Sequence, residues 1–311
     1  MRRPKRARNF RLNAAPLDTQ ITDDQPKRHI VDELIEERAQ KLMKSRLWPL
    51  YKTMLYPLLL HKQAVKMADA IAELPAQGVF DYISDLLSLD IQVEGVENIP
   101  LDGRVLIAST HPTGIPDGVA MYDALKAWRP DMTFFANRDA LRASAGLEDM
   151  IIPVEWVEEK RTMLRSRETL ASAIRAFNAE KCVVLFPSGR LAAMDDEKEL
   201  IEQEWLPSVA IFARKYQCPV IPVHIEMRNS WLYYWFWKLN TELRDITLFH
   251  ELLNKKGKTY KFTFGKPIPS ESLKGDPPAI ADALRAHAMA LGSTPKPWGP
   301  LQEVSTRPAS P

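Results

Sequence analysis

His111 and Asp117 are the two residues of this chain whose types and spacing point most directly to chemistry. They lie in the run His111-Pro112-Thr113-Gly114-Ile115-Pro116-Asp117-Gly118. An imidazole takes up a proton near neutral pH, and a carboxylate on its other nitrogen fixes the tautomer and stabilises the imidazolium. This is the His–Asp part of a catalytic triad without an enzyme nucleophile. The attacking group is then a hydroxyl or amine of the substrate, and direct acyl transfer fits. A structural reading stands beside the chemical one. Asp117 suits the N-cap of a following helix, and His111 suits a histidine hydrogen-bonded at a strand end.

The elements around this run are those that position a site. Arg104 to Thr110 (RVLIAST) reads as a buried strand leading directly into His111, and an amphipathic helix over about Val119 to Trp128 follows. Further strand-like runs, short and rich in β-branched residues, fall at Ile91 to Val96, Met132 to Ala136, Ile151 to Val154, Cys182 to Phe186, Val220 to Glu226 and Tyr260 to Phe264. Helical faces lie between them, one with Leu170, Ile174 and Phe177, another with Trp205, Val209, Phe212 and Tyr216. The alternation predicts an α/β fold, a mixed and partly parallel sheet flanked by helices, with an N-terminal helical segment. The carboxyl ends of strands are where open α/β sheets bind ligands, and His111 sits at one. The N-terminal segment, Ile30 to about Leu74, has helical spacing, and Pro49 and Pro57 are expected to split it into two or three helices. A short helix over about Val79 to Leu87 closes it.

The run from His111 to Asp117 resembles the His–Asp motif of the glycerolipid (lysophospholipid) acyltransferase superfamily, PlsC-like. Its five intervening residues match a hemolysin-like branch with His-Pro-x-Gly-x-x-Asp-Gly. Phe186-Pro187-Ser188-Gly189-Arg190 resembles the family's Phe-Pro-Glu-Gly-Thr-Arg block, and Val220-Ile221-Pro222-Val223 its last block. Ile151-Ile152-Pro153-Val154 stands where the second block belongs, with Lys160 and Arg161 downstream. The ordered blocks cover about Asp90 to Pro269. The resemblance implies an O-acyltransferase of membrane lipid biosynthesis, with His111 as general base oriented by Asp117. It implies substrate contacts at Thr113, Gly114, Pro187, Ser188, Gly189 and Arg190, and at Lys160 and Arg161 beyond the second block; Arg138 and Arg142, four apart on an expected helix, are the preferred donor contacts. No metal or cofactor is implied; acyl-ACP or acyl-CoA is the co-substrate, and a lyso-lipid is the acceptor. Two departures bear on that acceptor. Ser188 stands where the family has Glu, and Arg190 follows Gly189 directly because the Thr position is missing. They put a glycerol-phosphate acceptor in doubt and leave a lyso-aminolipid open beside a lysophosphatidic acid-like one.

Composition sets the remaining bounds. The chain has 311 residues, 45% hydrophobic and 26% charged, and a net charge of +2. Such a chain can bury a large core. Arg2, Arg3, Lys5, Arg6, Arg8 and Arg11 crowd the start without an acidic residue. This basic tail reads as solvated chain or as a contact with anionic lipid, at about 1 kcal/mol per residue. The expected divisions are a disordered tail over 1–29, a helical segment over 30–88 facing a membrane or packed on the core, an acyltransferase domain over 89–292, and a disordered Pro/Ser-rich tail over 293–311. Arg138, Arg142, Lys160, Arg161, Arg165 and Arg167 serve either as a solvated face with interspersed Glu158, Glu159 and Glu168 or as a cradle for the donor's phosphopantetheine or an acidic carrier protein. Trp231 to Trp237 (WLYYWFW) suits a membrane interface, an acyl groove or a core-packed helix. With the apolar run Leu47 to Leu60, too short to span, it predicts peripheral contact on the cytoplasmic side of a membrane, without a signal peptide. Nucleic acid is not expected, because no binding module accompanies the tail. Two other enzyme classes lack their signatures. Phe186 occupies the place a nucleophile elbow around Ser188 needs for Gly. His224-Ile225-Glu226 spells H-x-E without the Cys pair of a zinc deaminase, since Cys182 and Cys218 stand alone.

Overall fold

The computed structural model describes residues 28–155, 160 and 162–292. The basic tail, Arg161 and the Pro/Ser-rich end therefore lie outside the described residues. Seven strands form the main sheet: β1 (Asp90–Glu94), β2 (Val105–Ser109), β3 (Thr133–Asn137), β4 (Ile151–Val154), β5 (Cys182–Leu185), β8 (Val220–Glu226) and β9 (Thr259–Phe264), in the order β1-β9-β8-β2-β5-β3-β4. Two further strands, β6 (Ala193–Met194) and β7 (Leu200–Ile201), form a small antiparallel hairpin. From β8 to β4 every pairing is parallel; β9 lies antiparallel to β8, and β1 is parallel to β9. The sheet is thus mixed and mostly parallel.

Strands β2 and β5 are buried along their whole length and almost wholly apolar because both faces are covered, as a parallel sheet requires. On β2, Val105 and Ile107 enter one core with Val184, Ile221 and Val223 and with Val31, Met67 and Leu87 of the N-terminal helices. Leu106 and Ala108 point the other way. There they meet Phe177, Val209 and Leu284 of the helices Met163–Asn178, Ser208–Lys215 and Pro277–Leu291. The N-terminal segment therefore shares the core of the sheet.

That segment divides differently from the expectation. Its helices are Ile30–Arg38, Gln40–Met43, Trp48–Leu58 and His61–Ile71, four rather than two or three, with breaks just before Pro49 and just after Pro57. Pro49 occupies the first turn of its helix, where no intrahelical N–H is lost, and Pro57 sits at the end of the same helix. The turn after it is made by Leu60, whose φ of 55° is left-handed. Trp205 also departs from its expected helical face. It precedes the helix Ser208–Lys215, in irregular chain that follows β7.

Candidate active site

Strands β2, β5 and β8 are parallel neighbours, so their carboxyl ends open on the same edge of the sheet. His111 follows β2 and Phe186 to Arg190 follow β5. Thr110 locks the first of these exits to the end of β8: its N–H donates to Val223 O at 3.1 Å, and its Oγ1 accepts from Ile225 N–H at 2.9 Å.

The loop then turns so that imidazole and carboxylate meet. His111 Nδ1 lies 2.9 Å from Asp117 Oδ2. Asp117 is fully buried, while the His111 side chain keeps 16% exposure. Sequence suggested Asp117 as the N-cap, and the structure corrects this. The N-cap is Gly114, the helix is Ile115–Leu125, and Asp117 is its third residue. From there its Oδ2 accepts the backbone N–H of Gly114 at 3.0 Å and of Thr113 at 2.9 Å. The aspartate therefore satisfies orphan donors of the helix start and the imidazole together. Pro116 in the first turn allows the helix to begin four residues earlier than Val119. Gly114 has φ of 95°, and a Cβ there would press on Leu191 Cδ2 at 3.3 Å. Both the backbone angle and the packing favour glycine.

Other side chains hold the pair from behind and above. Thr113 Oγ1 hydrogen-bonds Asp117 Oδ1 and lies 2.8 Å from the Tyr260 hydroxyl of β9. Burial, with the charge of Asp117 nearby, raises the Tyr260 phenol and keeps it neutral. The Phe186 ring stacks on the imidazole with centroids 4.3 Å apart. Nearby, Lys255 Nζ donates to Glu251 Oε2 at 2.9 Å and to Asn229 Oδ1 at 3.2 Å, with both charged residues buried. Burial lowers the Lys255 ammonium, while the charges of Glu251 and Asp117 oppose that shift. His111 itself is held through its main chain. Its N–H donates to Glu202 Oε2 at 3.0 Å, and its carbonyl accepts from Ala192 N–H at 2.9 Å.

Of the other residues suggested by sequence, Pro187 and Ser188 are buried, Gly189 takes a left-handed φ of 59°, and Arg190 is exposed. Ser188 Oγ donates to Arg190 O at 2.8 Å. The Arg190 guanidinium has no hydrogen bond or ion pair among the described residues, and it stands two residues before Ala192, which holds His111. The remaining basic residues are engaged elsewhere. Arg138 pairs with Glu168 at 2.8 Å; Arg142 pairs with Glu33 at 3.0 Å and Glu37 at 2.9 Å; Lys160 pairs with Glu37 at 3.0 Å. Arg142 and Lys160 thus tie the β3–β4 side of the molecule to the helix Ile30–Arg38, and Arg138 ties it to the helix Met163–Asn178. Among the described residues no cluster of His, Cys, Asp or Glu could hold a metal ion. His224, of the H-x-E triplet, has its ring against Gly292 and its Nδ1 buried without a partner. Tyr260, Lys255 and Glu202 were not picked out from sequence. They come from far along the chain, and no local spacing marks them.

A family model described as Acyltransferase matches residues 90–226. Two similar curated proteins are both named lyso-glycine lipid O-acyltransferase. The one from Phocaeicola vulgatus is 28% identical over 192 residues, covering 60% of this chain and 66% of that protein. The one from Bacteroides thetaiotaomicron is 26% identical over 191 residues, covering 60% and 68%. The chain thus spans about two thirds of the length of these relatives. A crystal structure of the 1-acyl-sn-glycerophosphate (LPA) acyltransferase PlsC from Thermotoga maritima aligns over 85% of this chain and 100% of that chain, at 15% identity and a TM-score of 0.43.

Proposed function

We propose that this chain, whose residues 90–226 match the acyltransferase family model, moves a fatty acyl group from a thioester, acyl-ACP or acyl-CoA, to the hydroxyl of a lyso-lipid. The observation that carries this reading is the 2.9 Å contact of His111 Nδ1 with a fully buried Asp117 at the carboxyl end of β2. With Nδ1–H donated to the carboxylate, Nε2 is the proton acceptor. The acceptor hydroxyl gives its proton to Nε2 as its oxygen attacks the thioester carbonyl. The tetrahedral intermediate then collapses, the C–S bond breaks, and the departing thiolate takes the proton back from the imidazolium. The products are the acylated lipid and a free thiol. Phe186 over one ring face and Asp117 on Nδ1 keep the imidazole from turning away during this cycle. A serine hydrolase mechanism finds no support, because the Ser188 hydroxyl is buried and donates to Arg190 O rather than to His111.

For the acceptor, a lyso-aminolipid is favoured over a glycerol phosphate. The Ser188 and Arg190 departures support this, as do the names of the two relatives. Arg190, exposed and without an ion pair among the described residues, is the residue we assign to the acceptor's carboxylate or phosphate, by a bidentate contact. The lipid would be met at the membrane surface. No helix among the described residues is long and apolar enough to cross a membrane. Leu47, Leu50, Met54 and Leu58 around one helix, and Trp231, Trp235 and Leu239 on another, nevertheless expose their side chains, Met54 to 70% and Trp231 to 74%. Glu242 accepts the Lys41 and Leu42 N–H groups at 2.9 Å each, which ties together chain that lies a few residues from both helices. Exposed Leu, Met and Trp of this kind suit an interface with lipid.

The test is transfer itself. Purified protein on vesicles, given acyl-ACP or acyl-CoA, is expected to convert a lyso-glycine lipid to its diacyl form, read by mass spectrometry. Lysophosphatidic acid alone as the productive acceptor would overturn the aminolipid reading. No transfer to any lyso-lipid, from either donor, would overturn the reaction.

A further inference from the structure

We propose that Glu202 is a positioning residue for the base: it fixes the main chain of His111 and so sets where the imidazole stands. The inference rests on the reading of His111 given above, but the placement it describes does not depend on which acyl acceptor is used. Glu202 lies 91 residues beyond His111 in sequence. It follows β7, at the end of the excursion that begins with Leu191 and folds back as the β6–β7 hairpin. Both of its carboxyl oxygens are committed. Oε2 accepts the His111 N–H at 3.0 Å, and Oε1 accepts the indole N–H of Trp205 at 2.9 Å. Trp205 is itself buried in the core on the helical face of the sheet, so the carboxyl group is anchored to packed structure. Arg285 Nη1 adds a hydrogen bond to the Glu202 carbonyl at 3.2 Å.

The same excursion holds the other side of the His111 residue, through Ala192 N–H on His111 O. Its Leu191 side chain rests against Gly114. One segment, residues 191–205, therefore clamps both the N–H and the C=O of the residue that carries the imidazole. A carboxyl group that is 3% exposed is costly to keep unless its hydrogen bonds are made. Burial raises the Glu202 carboxyl above its ordinary range, against the hydrogen bonds from His111 and Trp205.

The experiment compares Glu202→Ala, Glu202→Asp and Glu202→Gln with the wild-type protein on two readouts. The first is transfer kinetics. A displacement of about 1 Å at a catalytic group costs roughly 100-fold in rate. Glu202→Ala and Glu202→Asp, which removes one methylene and withdraws the carboxyl from the N–H, are expected to lose about 10- to 100-fold in kcat with KM changed less than about threefold. Glu202→Gln, which keeps an acceptor at full reach, is expected to recover most of the loss. The second readout needs no activity: amide hydrogen exchange at His111, slow in the wild type and faster by about tenfold or more in Glu202→Ala. If Glu202→Ala does not fold, Glu202→Asp carries both readouts. A folded Glu202→Ala or Glu202→Asp with wild-type kcat, or with a loss confined to KM, would overturn the proposal. So would His111 exchange equal to wild type. A wild-type protein inactive on every lyso-lipid, yet showing the exchange difference, would refute the acyltransfer reading and leave the clamp standing.

Discussion

At the scale of single residues, Asp117 does two things with one carboxylate. It accepts two backbone N–H groups of the loop and helix start and the imidazole, at 2.9 to 3.0 Å. Asp117→Asn keeps the shape but replaces one acceptor oxygen with a donor. We expect kcat to fall about 100- to 10,000-fold and unfolding free energy to fall by about 1–3 kcal/mol, measured by transfer assay and denaturant titration. The Glu251–Lys255 pair makes a separate prediction about acid. Burial alone would raise the Glu251 carboxyl; hydrogen bonds from His250 and Ser230 and the Lys255 ammonium overcome this and hold it at about 2, below its ordinary 4.5. The folded value lies below the unfolded one. The stability it contributes is therefore complete above about pH 4.5 and is lost as pH falls through about 2. The amount is on the order of 3 kcal/mol. Replacing only Glu251 would leave a buried unpaired ammonium. The paired change Glu251→Gln with Lys255→Met is the cleaner comparison, and it is expected to flatten the acid limb of stability between those pH values.

At the scale of elements, the start of the helix Ile115–Leu125 decides whether His111 and Asp117 meet. Gly114→Ala forces a side chain onto a φ of 95° and against Leu191. A strained backbone of this kind costs about 1–3 kcal/mol. The melting temperature is expected to drop and transfer to fall with it, because Asp117 shifts with its helix; unchanged melting and activity would contradict this account of the turn. The same helix shows where sequence reading stops. All seven main-sheet strands were legible, as short β-branched or aromatic runs between turn residues, some apolar and some, like Thr259–Phe264, alternating. The helix start was not, because Pro116 reads as loop although the first turn tolerates proline. The β6–β7 hairpin was missed because two-residue strands carry no periodicity. Trp205 was placed on a helical face by spacing alone, whereas it lies in irregular chain and its indole N–H donates to Glu202.

At the scale of the whole molecule, the N-terminal helices share a core with the sheet and also expose apolar residues. Sequence left these as alternatives for the segment, and the side chains divide between the two: Val31, Leu34 and Met67 turn inward, and Leu50 and Met54 turn outward. The aromatic run divides likewise, with Tyr233, Tyr234 and Phe236 buried and Trp231 and Trp235 exposed. His111 and Asp117 were legible because they are close in sequence. Glu202 and Tyr260 were not, because only the folded sheet brings distant chain to the same edge. If the exposed rings meet lipid, Trp231→Ser with Trp235→Ser is expected to weaken binding to anionic vesicles roughly tenfold or more, given about 1.5–3 kcal/mol per large apolar side chain. Flotation at low and high salt measures it, and unchanged binding would remove these rings from the membrane contact.

The account rests on His111 as the base, and the most direct measurement is the single-turnover rate of acyl transfer by His111→Ala, with folding verified by its melting transition. A fall of about 100- to 10,000-fold is the expected result. A folded variant that transfers at close to the wild-type rate would contradict the mechanism.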